Sequence, residues 1–263
     1  MKIVGVHGIG NFRQGETAEQ AAAHLSALWA KRLAEGSDVS VVYYADLLRD
    51  PLRQSGDDEL EDLTDEEGEL LAQLLESFPA SERAAQGWIF SLVRAHIAEV
   101  AESRLLRPRM VEWLMTRFVK EAAAYLREGT AVRERLAATL RKVQPDVLIA
   151  HSLGTVVAYE TLHAEPALKV PLWVTLGSPL AAPKAIFERL TPPPVAGRGE
   201  RPPGVARWAN LADPGDLFAI PRKGISQRFA GVDSDDHDVV HAFDFHKVVN
   251  YLQTARLRAL LAQ

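Results

Sequence analysis

The stretch that decides the fold is Val147-Leu148-Ile149-Ala150-His151-Ser152-Leu153-Gly154. Four apolar residues typical of a buried strand lead to Ser152, and an apolar helical run follows at 155–162. The form A-H-S-L-G is a variant of the G-x-S-x-G pattern, in which a serine occupies a sharp strand-to-helix turn. Gly154 and, less completely, Ala150 remove side chains that would collide with the strand and helix at such a turn. The alternative is an ordinary turn with a capping serine.

Two backbone N–H groups are candidates for binding a negatively charged oxygen. The Leu153 N–H lies at the start of the predicted helix, where donors are free and the helix dipole favours negative charge. A second turn, His7-Gly8-Ile9-Gly10, follows a predicted strand at residues 2–6. Its glycines allow the backbone to direct an N–H at a substrate oxygen. Glycine-rich turns after strands are common, so this motif alone is weak.

The composition is that of a globular protein with an acidic balance. The 263 residues, 47% of them hydrophobic, are enough for one large domain, and we predict a single domain over 1–263. The net charge of −5 argues against nucleic acid as the main partner. Without cysteine there are no disulfides, thiolate ligands or cysteine nucleophile. No apolar run is long enough for a signal-peptide core or a transmembrane segment, which predicts a cytoplasmic protein.

Strand and helix patterns alternate along most of the chain. Strand, helix, strand over 1–45 predicts a parallel pair with a right-handed crossover. The insertion at 51–129 differs, because it carries several amphipathic helices with broad apolar stripes. Those stripes predict packed core or, alternatively, a cap that lines an acyl-binding cleft. A Pro- and Gly-rich stretch at 191–204 predicts a surface loop, and a final helix is expected from residue 247.

Acid and histidine candidates follow later strands. Asp213 and Asp216 lie on a turn after the predicted strand at 205–211, where aspartate also occurs for turn chemistry alone. His237, His241 and His246 precede the final helix, and His237 is expected to be solvated within its acidic loop.

Two flanking histidines, His7 and His151, are expected to support the site. The acidic run at 57–69 contains no histidine, and we predict no metal and no cofactor.

Taken together, the motifs at 7–10 and 150–154 resemble those of the serine lipases and esterases of the α/β-hydrolase superfamily. Small bacterial lipases carry the same H-G-I-G and A-H-S-x-G forms, and the order serine, acid, histidine is that of the superfamily. The resemblance covers 1–45 and 131–263 but not the insertion. It implies an α/β-hydrolase fold, with a mostly parallel sheet flanked by helices and 51–129 as a helical cap.

The resemblance also implies roles for individual residues. Ser152 is the nucleophile, His246 the general base and then acid, and Asp216 the carboxylate that orients the imidazole. Asp216 is preferred to Asp213 because the family places its acid just before an apolar pair. His246 is preferred because it directly precedes the last helix. The oxyanion hole is assigned to the N–H groups of Ile9 and Leu153.

The predicted function is therefore a serine hydrolase that cleaves carboxylic esters of small molecules or lipids. An acyltransferase or thioesterase using the same three residues is an alternative, and so is a binding protein that keeps the fold without catalysis. The insertion helices also suggest a homodimer interface.

Overall fold

The computed structural model describes residues 1–33, 36–48, 60–78, 89–103, 106–237 and 246–263. Within these ranges a six-stranded sheet forms the centre, in the order β2-β1-β3-β4-β6-β8, and all neighbouring strands are parallel. A short parallel pair, β5 and β7, lies outside it. The strands are β1 (Lys2–Val6), β2 (Asp38–Val42), β3 (Val147–His151), β4 (Val170–Leu176), β5 (Gly199–Glu200), β6 (Val205–Leu211), β7 (Phe229–Ala230) and β8 (Ser234–Asp236). The prediction of an α/β protein with a mostly parallel sheet is confirmed.

Helices cover both faces of the sheet. They are α1 (Ala18–Ala30), α2 (Asp65–Leu75), α3 (Ile89–Ser103), α4 (Pro108–Glu128), α5 (Thr130–Val143), α6 (Leu153–Ala164), α7 (Gly224–Arg228), α8 (Val248–Leu252) and α9 (Ala255–Leu261). Thr17 caps α1 and Thr64 caps α2, each through a reciprocal capping box that satisfies otherwise free backbone donors. None of the described helices is both long and apolar enough to cross a bilayer.

The core lies in two layers because side chains alternate along each strand. In β3, Val147 and Ile149 face the cluster that includes α1, α8 and α9. Leu148 and Ala150 face the opposite cluster, which includes residues of α2 to α6. Each face of the sheet is thus covered by helices, as a parallel sheet requires.

The insertion helices contribute to that second layer. The buried face of α4 packs in the same continuous cluster as Val4, Val6 and Leu148 of the sheet. The apolar stripe of α4 is therefore packed core, the first of the two interpretations given above. Whether residues 51–129 also act as a cap stays a prediction.

Two local predictions were wrong. The expected single C-terminal helix is two helices, α8 and α9, because Thr254 begins a new helix by accepting a hydrogen bond from the Leu257 N–H at 3.2 Å. The stretch at 191–204 is not only loop, since it contains β5, which pairs with β7.

The topology fixes where a site can form. The chain leaves β1 for β2 on one side and returns through α2 to α5 to β3 on the other side of β1. Ligands of open α/β sheets bind at such a switch point, beyond the carboxyl ends of the strands. Residues 7–10 follow β1 and Ser152 follows β3, so both lie at this edge. Because the sheet is parallel, the segments after β4, β6 and β8 leave the same edge.

Candidate active site

Ser152 occupies a backbone conformation that few residues other than glycine adopt. Its φ is 53° and its ψ is −129°, a region that costs about 1–3 kcal/mol unless the surroundings enforce it. The Ser152 N–H donates to the Leu176 carbonyl at 3.0 Å. The Ser152 carbonyl accepts from the Thr155 N–H at 2.9 Å and from the Thr155 hydroxyl at 2.7 Å. These bonds hold the turn between β3 and α6.

Glycines allow three segments to meet at this turn. A Cβ on Gly154 would overlap the His7 carbonyl oxygen and lie 2.7 Å from that of Val6, as the sequence predicted for a clash at this position. A Cβ on Gly8 would lie 2.6 Å from the Ser152 Cβ. The loop after β1 is therefore packed directly against the serine.

A hydrogen-bonded chain joins the three residues predicted to be catalytic. His246 Nε2 lies 2.9 Å from Ser152 Oγ, and His246 Nδ1 lies 2.9 Å from both carboxylate oxygens of Asp216. A carboxylate only accepts, so Nδ1 carries the hydrogen and Nε2 is free to accept the serine proton. The exposed fractions are 0% for Ser152, 6% for His246 and 1% for Asp216.

Further donors hold the Asp216 carboxylate. The Phe218 N–H donates to one oxygen at 2.9 Å, and the Tyr251 hydroxyl donates to the other at 2.8 Å. Burial alone would raise the pKa of Asp216, but the His246 charge and these hydrogen bonds together lower it below its ordinary value. Burial and the nearby Asp216 charge raise the pKa of Tyr251 well above its ordinary value, so its hydroxyl remains a donor.

Asp213, the alternative acid, lies in the same turn with a different set of contacts. Its Oδ1 accepts from the Gly215 N–H at 2.7 Å, and its own N–H donates to the Tyr251 hydroxyl at 2.9 Å. The bond from the Gly215 N–H is a turn-forming contact, and the carboxylate hydrogen-bonded to His246 is that of Asp216.

His7 is a buried, neutral support for the loop after β1. The Tyr44 N–H donates to His7 Nε2 at 3.1 Å, so Nδ1 carries the hydrogen and donates to the Gly8 carbonyl at 2.7 Å. The His7 ring stacks on Tyr44 with centroids 4.1 Å apart. Burial lowers the pKa of His7 to about 4.

The two predicted oxyanion donors lie beside the serine turn. Within the described part of the chain, neither the Ile9 N–H nor the Leu153 N–H donates a hydrogen bond to another residue. Leu153 is fully buried, and buried backbone N–H groups without a partner are rare in folded proteins. Their assignment to an oxyanion hole stays a prediction.

No protein-family model, curated protein or solved structure matches the chain. The interpretation of the site therefore depends on its own geometry.

His151 lies against the hydrogen-bonded chain. Its ring centroid is 4.9 Å from that of His246. Burial, followed by the charge of His246, lowers the pKa of His151 to about 3. His151 is thus a buried, neutral neighbour of the site, and its supporting role stays a prediction.

The other candidate histidines lie elsewhere. His237 was expected to be solvated, which is wrong: it is buried, accepts from the Lys223 N–H at 2.9 Å and lies 3.0 Å from Asp235 Oδ1. Burial opposes ionisation of Asp235, yet the neighbouring His237 and hydrogen bonds from the Ser226 N–H and the Asn210 amide lower its pKa to about 2. This cluster is a separate buried network. His241 lies outside the described residues.

Two residues of the site carry no sequence motif that indicates their role. One is Tyr251, whose hydroxyl joins Asp216 to the Asp213 backbone. The φ of Gly177 is +52°, and a Cβ there would lie 2.6 Å from Asp216 Oδ2. The one available signal in the sequence was that Gly177 directly follows the largely apolar run at 171–176.

In the ranges that the structure describes, no cluster of three or more His, Asp or Glu side chains is arranged to hold a metal ion. The side chains joined at Ser152 are instead one hydroxyl, one imidazole and one carboxylate. Such a set can move a proton and form a covalent bond.

Proposed function

We propose that the chain is a serine hydrolase of the α/β-hydrolase type, which cleaves carboxylic esters through an acyl-enzyme on Ser152. The single observation that carries this proposal is the buried Ser152–His246–Asp216 chain, with hydrogen bonds of 2.9 Å at each step. The strained serine turn and the glycine-rich loop packed against it support the same reading, because together they give a nucleophile with adjacent backbone donors.

In acylation, Ser152 Oγ attacks the ester carbonyl carbon while its proton passes to His246 Nε2. The carbonyl π electrons move to oxygen, and the N–H groups of Ile9 and Leu153 stabilise the resulting oxyanion. When the oxyanion collapses, the bond to the leaving alcohol breaks and His246 returns the proton to that alcohol. Asp216 holds the imidazole in the required tautomer and stabilises its cationic form.

Deacylation repeats these steps with water. His246 Nε2 takes a proton from water, whose oxygen attacks the acyl carbon. The tetrahedral intermediate then expels Ser152 Oγ, which regains its proton from His246, and a carboxylic acid is released. An alcohol, amine or thiol in place of water would give acyl transfer by the same route.

The test uses a fluorophosphonate probe and a panel of p-nitrophenyl esters of varied acyl length. We expect the probe to label the wild-type protein at Ser152, as identified by peptide mass spectrometry, and not Ser152→Ala. Ester turnover should fall by about a million-fold in that variant. If the folded wild-type protein is neither labelled nor active on any ester, the binding-protein alternative is favoured.

Acyl transfer would be recognised by a product that forms only when an acceptor is added. The substrate class, a cytoplasmic location and a homodimer through the insertion helices stay predictions.

A further inference from the structure

Helix α4, part of the insertion, contacts both sides of the candidate site. On one side, Glu121 Oε1 accepts a hydrogen bond from the Gly10 N–H at 2.8 Å. On the other, the Phe118 ring stacks on Phe218 with centroids 4.5 Å apart, and Phe218 lies 4.5 Å from the His246 ring. The insertion therefore contacts segments that lie next to Ser152 and His246.

The orientation of the Gly8–Ile9 peptide is fixed from its carbonyl side. The Gly8 carbonyl accepts from His7 Nδ1 at 2.7 Å and from the Asn11 side-chain amide at 2.9 Å. In a planar trans peptide the N–H points opposite to the carbonyl. These two bonds orient the Ile9 N–H, the proposed oxyanion donor, but both donors belong to the same segment after β1.

The next peptide is held at both of its polar groups. The Ile9 carbonyl accepts from the Asn11 amide at 3.0 Å, while the Gly10 N–H donates to Glu121. Gly10 has a φ of +74° and, like Gly8, offers little intrinsic resistance to rotation of the adjoining peptides. Hydrogen bonds from outside the loop must therefore supply the rigidity that preorganised donors need.

We propose that Glu121 is a positioning residue that fixes the Ile9–Gly10 peptide and thereby keeps the Ile9 N–H aimed at the reacting oxygen. This inference rests on the proposed function. Arg117, one turn earlier on α4, places its Nε 3.4 Å from the same Glu121 oxygen. The ion pair orients the carboxylate and offsets a negative charge that would otherwise oppose the oxyanion.

The experiment compares three variants on one p-nitrophenyl ester: Glu121→Ala, Glu121→Gln and Glu128→Ala. Glu128 is the matched control, since it lies on the same helix with its side chain 79% exposed. Glu121→Ala removes the acceptor for the Gly10 N–H. We expect kcat to fall by about 10- to 100-fold, less than the full loss of an oxyanion donor, with KM nearly unchanged. Glu121→Gln keeps an oxygen acceptor and should retain kcat within about threefold.

A second measurement separates positioning from folding. A boronic acid inhibitor forms a tetrahedral adduct on serine that places an oxygen in the hole, so its Ki for Glu121→Ala should rise by the same factor as kcat/KM falls. A merely structural Glu121 would give a lower melting temperature with unchanged kcat and Ki per folded molecule. That result, or equal losses for Ala and Gln, would overturn the inference.

A failure of the Glu121 proposal can be distinguished from a failure of the proposed function. If wild-type protein hydrolyses the ester and Ser152→Ala does not, the proposed function stands whatever Glu121→Ala does. If the wild-type protein is inactive and unlabelled, both proposals fail together.

Discussion

Lowering the pH from 7.5 to 5 should destabilise the protein strongly, because two imidazoles beside the site are buried in neutral form. Burial lowers the pKa of His7 to about 4 and that of His151 to about 3, against an ordinary value of 6.5. The unfolded chain binds a proton at each imidazole as pH falls through 6.5, whereas the folded chain does not until pH 4 or below. Protons therefore favour the unfolded state, and stability is lost between these values as the pH falls.

The magnitude follows from proton linkage. At pH 5 both folded pKa values lie well below the solution pH, so the loss is set mainly by the ordinary value of 6.5. Each histidine then lowers the free energy of unfolding by about 2 kcal/mol relative to pH 7.5, and the pair lowers it by about 4 kcal/mol. A typical domain is stable by about 5–15 kcal/mol, so the effect is a large fraction of the total.

Urea unfolding at half-unit pH steps measures the free energy of unfolding at each pH. The slope of that free energy against pH gives the number of protons taken up on unfolding. His151→Gln should remove one proton from that slope near pH 5.5, while His24→Gln, at an exposed side chain, should leave the two from His7 and His151 in place. In the folded protein, the imidazole C–H resonances of His7 and His151 should not titrate above pH 5. Midpoints near 6.5 for these resonances would refute the reasoning.

Three further predictions concern the candidate site. Asp216→Asn should lower kcat by about ten-thousand-fold, because the imidazole loses its orienting carboxylate. Asp213→Asn should mainly lower the melting temperature. If steady-state kinetics show the larger loss of kcat for Asp213→Asn, the catalytic acid is Asp213. Tyr251→Phe removes a donor to Asp216 and leaves the Asp213 N–H without an acceptor, so the free energy of unfolding in urea should fall by about 2–5 kcal/mol. The variant should lose less kcat than Asp216→Asn, and unchanged stability would contradict this prediction. Phe118→Ala should lower the free energy of unfolding by about 3–5 kcal/mol and lower activity on acetate and long-chain esters alike. Leu114→Ala, at a half-buried side chain, is the control. A loss of activity confined to long-chain esters would favour the cap.

The site could be predicted where short motifs enforce local geometry. A serine two residues before Gly154 indicates a sharp turn because the glycine is needed where α6 passes the end of β1. The order of the apolar runs likewise indicates a parallel sheet, and a parallel sheet brings the ends of its strands to one edge. The choice of Asp216 and His246 to accompany Ser152 came from the resemblance to the α/β-hydrolase superfamily, since the sheet edge alone leaves Asp213, His237 and His241 open.

Tyr251 and Glu121 could not be predicted, because each acts through a partner far away in sequence. On its helix, Tyr251 looks like any buried aromatic residue, and nothing local indicates that its hydroxyl reaches a carboxylate 35 residues earlier. Glu121 looks like a charge on an amphipathic helix, and its partner Gly10 is 111 residues away. The same limit applies to α4, since a core helix and a cap helix carry the same apolar stripe.

His237 shows the opposite failure, in which local composition misled. An acidic run around a histidine usually indicates a solvated loop, but here β8 adds a strand at the edge of the sheet beside β6. The Asn210 side-chain amide of β6 donates to Asp235 Oδ1 at 2.7 Å, and the Asp235 side chain is buried. Edge pairing is a long-range event, so the local pattern could not indicate it.

The three histidines near Ser152 differ in one respect that bears on chemistry. His246 is the one whose Nδ1 is hydrogen-bonded to a carboxylate, whereas burial keeps His7 and His151 neutral. A second imidazolium at His151, 4.9 Å from the His246 ring, would oppose the cation that forms on His246 during ester cleavage by about 3 kcal/mol at an effective dielectric constant of 20. That is roughly a hundredfold in rate. Burial of His151 thus does more than fill the core, because a neutral His151 adds no charge that would oppose the cation formed on His246.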